Sequence, residues 1–148
     1  MTDTFVDVAN GENILVQIGD GASPEVFAHD CLINGDRGIN LTASTVTNTV
    51  PNCTDPSAPS KTVRSVDAID SSISGGGKMH ASSVKEWMDW LVSGQPKNIR
   101  TKNNTTGSWQ VAGSYLLTSF QVNGTPKTNA DVSVTLEQAD APTVSTVS

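Results

Sequence analysis

Hydrophobic and polar residues alternate with a period of two in several stretches of the chain, as expected of β-strands that bury one face. The clearest stretch is 130–137, whose two faces differ completely. One face is apolar (Val132, Val134 and Leu136), and the other is hydrophilic (Asp131, Ser133, Thr135 and Glu137). Similar signals predict further strands at residues 13–19, 26–33, 38–46, 63–74 and 108–122. The pattern therefore predicts a mainly β protein.

Two connections between these strands carry their own signals. Asn34-Gly35 is a strong hairpin signal, because both central residues of a type I′ turn take positive φ. It predicts a hairpin between residues 26–33 and 38–46. Residues 47–62 contain three prolines among Ser, Thr and Asn, and they are predicted to form a long loop, which in a compact domain is usually functional or disordered.

One amphipathic helix is predicted over about residues 84–93. Its apolar stripe has the i, i+3, i+4, i+7 spacing of a helix face and consists of Val84, Trp87, Met88 and Leu91. Ser83 and Glu86 have the spacing of a capping box, and Gly94 suits the end of the helix. We expect the stripe to pack on the sheet, with Trp90 beside it and free to face a neighbouring subunit.

The composition is that of a single domain spanning residues 1–148, with extended termini at 1–10 and 139–148. Charged residues make up only 16% of the chain, and Ser and Thr supply 34 residues, a bias that favours strands and turns. The net charge is −6, and residues 1–36 carry seven acids and no Lys or Arg. This asymmetry either steers one region onto a neighbouring subunit or forms a solvated acidic edge. Conventional nucleic-acid binding is disfavoured, because it requires a basic patch.

No signal peptide is recognised, and no run of apolar residues exceeds three, so neither secretion nor a membrane span is expected. We therefore expect synthesis in a host cytoplasm, with Cys31 and Cys53 reduced.

Catalytic and cofactor motifs are incomplete. His29 and Cys31 lack an identifiable orienting group, and with Cys53 they match no zinc spacing. The glycines before Lys78 do not complete a phosphate loop, and the Ser82-x-x-Lys85 element lacks its companion motifs. No enzyme activity, cofactor or metal is therefore expected.

The order of elements resembles the tail tube (major tail) proteins of siphophages and gene transfer agents over roughly residues 10–140. The resemblance rests on an early strand at Ile14-Leu-Val-Gln-Ile, on Leu41-Thr-Ala-Ser-Thr-Val-Thr-Asn48 leading into a long loop, and on Ile69-Asp-Ser-Ser-Ile-Ser-Gly75 before the helix. It continues in Gly113-Ser-Tyr-Leu-Leu-Thr-Ser-Phe120 and Asp131-Val-Ser-Val-Thr-Leu-Glu137. The three-proline loop departs from the family pattern.

This resemblance implies a β-sandwich or barrel with one flanking helix, whose copies form hexameric rings that stack into a tube on a virion. DNA passes through such a tube without specific binding, and the expected partners are the tape measure, tail terminator and distal tail proteins. We expect the hydrophilic face of residues 130–137 to line the channel, and the alternative is an ordinary solvated outer face. The expected ring–ring contacts come from the long loop, namely Thr47, Asn48, Pro51, Asn52, Asp55, Pro56 and Pro59.

Two other functions stay open at this stage. One is a monomeric β-sandwich that binds glycans or mediates adhesion on a virion. The other is the tube protein of a contractile secretion system, which would work inside a sheath.

Overall fold

The computed structural model describes residue 5 and residues 11–21, 25–29 and 32–147. Among them are one short 3₁₀ turn, Gly11–Asn13, and one α-helix, α1, Ala81–Ser93. The strands are β1 Ile14–Gly19, β2 Phe27–His29, β3 Arg37–Val50, β4 Lys61–Lys78, β5 Lys97–Asn103, β6 Trp109–Asn123, β7 Asp131–Gln138 and β8 Thr143–Thr146. The protein is mainly β with one helix, as the sequence predicts.

All eight strands belong to one antiparallel sheet in the order β2-β1-β5-β6-β7-β4-β3, and β8 pairs with the first part of β6. The sheet curls, because residues from its distant strands share one core. Val16 of β1 and Ile99 of β5 belong to the same buried cluster as Ile73 of β4 and Leu136 of β7. Helix α1 adds Trp87 and Trp90 to this cluster.

The Asn34-Gly35 prediction is wrong, because β2 pairs with β1 and β3 pairs with β4. Neither residue takes a positive φ. The Asn34 side chain instead forms hydrogen bonds with the backbone of Lys78, the last residue of β4. Its Oδ1 accepts from the Lys78 backbone N–H at 2.9 Å, and its Nδ2 donates to the Lys78 carbonyl at 2.7 Å. The local turn signal was overridden by tertiary pairing.

The predicted loop at residues 47–62 is shorter in the structure. Strand β3 continues to Val50 and β4 begins at Lys61, so the connection covers only residues 51–60. The two strands pair up to Val50 opposite Lys61. At the C-terminus, Thr143–Thr146 within the predicted extended segment pair with β6 as β8. The predicted N-terminal extension lies outside the described residues, apart from Phe5.

Helix α1 starts three residues earlier than predicted, and the capping box is wrong. The N-cap is His80, whose side chain makes no capping hydrogen bond, while Gly94 ends the helix in the left-handed conformation, as expected. Trp87 is 2% exposed and Trp90 is 5% exposed, so Trp90 also faces the core. Met88 is 43% exposed and stands off the packing face, whereas Val84 and Leu91 are partly buried against the core.

Candidate assembly surfaces

Four neighbouring strands, β6-β7-β4-β3, form a sheet segment whose one face covers the core and whose other face is hydrophilic. The burial of β7 alternates strictly along its first six residues, with Val132, Val134 and Leu136 inside. The four residues predicted to line a channel therefore share one face. Directly opposed residues in antiparallel strands share a face, so this surface continues onto β4 and β6 through Lys78, Gly76, Ser74, Ser72, Asn123, Gln121, Ser119 and Leu116.

The charges on this hydrophilic face are only partly balanced. Lys78 Nζ lies 3.0 Å from Asp131 Oδ1, and both side chains are more than 60% exposed. Such an exposed pair contributes little stability, but it offsets the charge of Asp131. Glu137 and Asp70 lie on the same face and form no ion pair among the described residues. The face is therefore acidic through these two carboxylates. The sequence did not single out Lys78 as part of it.

Among the described residues, both sides of the four-strand segment end in unpaired strand edges. On one side, β3 is the last strand of the sheet, and residues 38–50 contain neither a charged residue nor proline. On the other side, β5 pairs with β6 only as far as Lys97 opposite Tyr115, which leaves residues 116–123 of β6 without a partner on that side. Long uncharged edges are sites of strand pairing with another chain.

The outer halves of β3 and β4 form a projecting hairpin, which we call the arm (residues 40–70). Every one of its residues is exposed, apart from the partly buried Ala58. Large apolar side chains are nevertheless frequent on it, namely Leu41, Val46, Val50, Val63, Val66 and Ile69, each at least 40% exposed. An exposed apolar surface of this kind indicates an interaction site.

The apolar residues change face along the arm. Near the body, Leu41 and Ile69 lie on the face that continues the core, because Ile39 pairs with Ile73 and side chains alternate from there. The pairing register shifts between Ser44 and Thr45. Beyond that point, the valines of the opposite face predominate, namely Val46, Val50 and Val63. The two halves of the arm therefore present apolar contacts in opposite directions.

The arm tip (residues 51–60) has its own hydrogen bonds. Asn52 Oδ1 accepts from the backbone N–H groups of Thr54 and Asp55 at 3.0 and 3.1 Å. Asp55 Oδ1 accepts from Ser57 Oγ at 2.7 Å, and this bond lowers the pKa of Asp55. Of the predicted ring–ring residues, Thr47 and Asn48 lie in β3, and the remainder (Pro51, Asn52, Asp55, Pro56 and Pro59) lie in this tip. The tip is thus organised within the subunit.

A chain of hydrogen bonds that starts at the buried Tyr115 and Ser71 and ends at the surface fixes the root of the arm. Ser71 Oγ lies 2.9 Å from both Tyr115 Oη and Gln138 Oε1, and Gln138 Nε2 donates to the Ile69 carbonyl at 3.0 Å. Because the Ser71 hydroxyl donates to Gln138, the Tyr115 hydroxyl must donate to Ser71. The chain links β4, β6 and β7 where the arm leaves the body. No local sequence signal indicates it, since its members are at least 23 positions apart from one strand to the next.

The residues weighed for catalysis and metal binding have structural roles where they are described. Both ring nitrogens of His29 lie 3.0 Å from backbone carbonyls, those of Val16 and Ile33. Lys85 pairs with Asp89 at 2.8 Å instead of facing Ser82. Cys53 is exposed in the arm tip, and Cys31 lies outside the described residues. No group of three potential metal ligands occurs in the described part of the chain.

A groove of about 440 Å³ runs between α1 and the β1–β2 edge, where Trp87 and Trp90 form part of its wall. Lys97 Nζ stands 5.1 Å from the centre of the Trp90 ring. Over the same described residues, no helix is long and apolar enough to cross a membrane.

The chain is similar to known tail tube proteins in sequence and in fold. A family model described as phage tail tube protein matches residues 8–144. No curated protein sequence matches the chain. A subunit from the tail of an empty gene transfer agent particle, solved with C6 symmetry, superposes with a TM-score of 0.72 at 18% identity, over 93% of this chain and 99% of that one.

Two further structures share the fold at lower identity. A subunit of the SPP1 tail tube superposes with a TM-score of 0.66 at 9% identity, over 95% of this chain and 81% of that chain. A subunit of the sheath–tube complex of an extracellular contractile injection system superposes with a TM-score of 0.62 at 14% identity, over 99% of this chain and 100% of its own length.

Proposed function

Because the chain belongs to the phage tail tube protein family, we propose that its copies form six-membered rings that stack into a tail tube, the channel through which DNA is delivered. The subunit is then a structural protein of the virion and not an enzyme. The tape measure, tail terminator and distal tail proteins are its partners in the tail, and DNA passes through without specific binding.

The observation that carries this proposal is the pair of open edges on the four-strand segment. Its neighbouring strands alternate in direction from β6 to β3. Because four is even, β3 of one copy runs antiparallel to β6 of an identically oriented next copy. Closing a ring in this way pairs the two open edges of the segment with each other, which lowers the risk of uncontrolled aggregation.

Six copies give a barrel of 24 strands. With strands ~4.8 Å apart and tilted ~40°, its backbone diameter is about 48 Å, which leaves room for duplex DNA after side chains intrude. The core lies on one face of the four-strand segment, so the hydrophilic face turns toward the channel. Glu137 and Asp70 then repeat around the channel as acidic rings. Lys78 lies on the same face, but its pairing with Asp131 leaves the face acidic, so this wall would not hold DNA phosphates as a basic wall would.

A second candidate is a tube that works inside a contractile sheath. The fold it shares with a subunit of an injection system's sheath–tube complex supports this candidate. Purified particles that carry this chain would separate the two functions, because a sheath protein of equal copy number is present only in the second.

Negative-stain microscopy of the purified protein at high concentration tests the proposal. We expect rings or tubes with a stain-filled central channel, and tube formation that depends on concentration. A protein that stays monomeric at every concentration and binds glycans would instead support the adhesion module.

A further inference from the structure

We infer that residues 38–44 of β3 pair with residues 116–123 of β6 in the next copy of the ring, with Asn40 directly opposite Gln121. This inference rests on the proposed ring and specifies its interface residue by residue. Both segments are the open edges described above, so neither has to give up an existing strand partner.

The register follows from the stagger that a closed barrel needs. Within one copy, directly opposed residues run across the four strands from Asn40 through Ser72 and Glu137 to Leu116. If Leu116 of the next copy also stood opposite Asn40, the strands would run parallel to the barrel axis. Closed barrels instead tilt their strands by roughly 35–45°, so each copy must be shifted along its neighbour.

The shift must be an even number of residues. Side-chain direction and hydrogen-bonding direction both alternate along a strand, and only an even shift keeps the hydrophilic faces together. For 24 strands spaced ~4.8 Å with a rise of ~3.3 Å per residue, shifts of two, four and six per copy give tilts of about 19°, 35° and 46°. A shift of two is therefore excluded.

The direction of the shift is set by β5. Toward Trp109, the edge of β6 is already paired with β5 from Gln110 to Tyr115. The neighbouring β3 can therefore shift only toward Asn123. A shift of four in that direction places Asn40 opposite Gln121, once the unpaired Thr118 at the register shift of β6 is counted.

The side chains favour a shift of four over six. At four, the core-side residues of the two copies are all apolar opposite one another, Ile39 to Val122, Leu41 to Phe120, and Ala43 to Leu117. Leu41 and Val122 are 48% and 37% exposed in the single subunit, and this pairing covers both. At six, Thr45 would stand opposite Leu117. On the channel side, a shift of four matches an amide with an amide at Asn40 and Gln121, and a hydroxyl with a hydroxyl at Thr42 and Ser119.

This register also explains where the apolar residues of the arm change from one face to the other. The pairing ends with Ser44 opposite Leu116, because β5 occupies β6 beyond that point. Ser44 is where the register of β3 and β4 shifts and where the apolar residues begin to change face. The first half of the arm thus belongs to the contact within a ring, and the second half projects beyond it toward the adjacent ring.

Disulfide trapping tests the register. In a Cys31→Ser, Cys53→Ser background, Asn40→Cys is combined with Gln121→Cys, and in matched variants with Asn123→Cys or Ser119→Cys. Directly opposed residues have Cα atoms about 4.5–5.5 Å apart, within the range of a disulfide. Within one copy, β3 and β6 are three strand spacings apart, at least about 14 Å, so every cross-link joins two copies.

We expect mild oxidation of the assembled Asn40→Cys, Gln121→Cys protein to give a ladder of cross-linked species up to covalent hexamers. The two matched variants should give at least ten times less cross-linked protein. The single-cysteine variants should give only monomer and background dimer. A dominant ladder from the Asn123 or Ser119 combination, or no ladder in material that forms tubes, would overturn the register and leave the tube function standing. Absence of rings and tubes in the cysteine-free background and in the wild-type protein would overturn the proposed function itself.

Discussion

Tyr115 Oη donates a hydrogen bond to Ser71 Oγ at 2.9 Å, and both residues are at most 2% exposed. This contact joins the two strands between which β7 runs, at the level where the arm leaves the body. Since Ser71 donates its own proton to Gln138, the bonds all run in one direction and polarise one another. The arm is thus anchored by this partly buried polar chain as well as by backbone pairing.

Removal of the Tyr115 hydroxyl and removal of the Ser71 hydroxyl should destabilise the subunit by different amounts. Tyr115→Phe deletes one bond and leaves the bond from Ser71 to Gln138, so we expect a loss of about 1 kcal/mol in the free energy of unfolding. Ser71→Ala leaves both the Tyr115 hydroxyl and Gln138 Oε1 without their partner, and we expect a loss of about 2–3 kcal/mol. Urea denaturation of the single and double variants measures this, with the exposed Ser133→Ala as control. Additive losses would show that the two hydroxyls act independently.

The same contact predicts a loss of stability at high pH. Burial raises the pKa of Tyr115 above its ordinary value of 10.0. The unfolded chain therefore releases its proton at lower pH than the folded chain does, so the free energy of unfolding should fall as pH rises above about 10. In the Tyr115→Phe variant, the free energy of unfolding should not show this part of the decline above about pH 10. Tyr115 is the only tyrosine, so tyrosinate absorbance reports its titration directly, and an ordinary pKa in the folded protein would contradict the prediction.

The anchoring of helix α1 can be tested with two neighbouring residues. Trp87 is 2% exposed, and its ring lies 5.4 Å from that of Trp90 and 6.5 Å from that of Phe120. Trp87→Ala should therefore cost roughly 3–5 kcal/mol. Met88→Ala is the matched control, because Met88 is 43% exposed, and it should cost less than about 1 kcal/mol. Equal shifts in the thermal midpoint of the two variants would mean that helix α1 packs on the sheet through a different face.

Strand periodicity was enough to predict β7 and its two faces, because a strand buried on one side must alternate. The helix was also predictable from its apolar spacing, but its cap was not, since Ser83 lies on the buried side of the helix. The Asn34-Gly35 signal failed because the Asn34 side chain bonds Lys78, 44 residues away. No local pattern contains such a partner.

Only the outer end of the arm was missed, and for a different reason. Residues 47–50 and 61–62 were predicted as loop because the stretch 47–62 contains three prolines among Ser, Thr and Asn, and no buried face imposes an apolar alternation on it. Sequence periodicity detects burial within one chain, whereas the arm is expected to be covered by other copies. The Lys78–Asp131 pair could likewise not be predicted from the sequence, because the two residues meet only through the β4–β7 pairing.

The proposed acidic channel predicts how assembled tubes interact with DNA. Asp131→Lys with Glu137→Lys reverses two acidic charges on the hydrophilic face of every subunit, and the first substitution places a new cation beside Lys78. We expect tubes of this variant to retain duplex DNA at low salt and to release it steeply as salt rises. Glu86→Lys with Asp89→Lys reverses two acidic charges on helix α1, which lies on the core side of the sheet. Tubes of this variant should retain less duplex DNA. Co-sedimentation of labelled DNA measures this, and equal retention by the two variants would place the β7 face outside the channel.

The arm tip provides the last prediction, which separates ring formation from ring stacking. Val50 and Lys61 are directly paired, so residues 51–60 can be replaced by Asn-Gly, which closes a two-residue hairpin with the twist of the strands. The tip makes its hydrogen bonds within itself, and its loss should leave the thermal midpoint of the subunit nearly unchanged. The proposed ring contact at residues 38–44 is also retained. We therefore expect single rings and short stacks in electron micrographs, with far fewer long tubes than the wild-type protein forms at equal concentration. A control that replaces only Cys53 by Ser should polymerise normally. Long tubes from the shortened arm would mean that ring–ring contacts come from the arm's valines or from the opposite end of the subunit, and not from the tip.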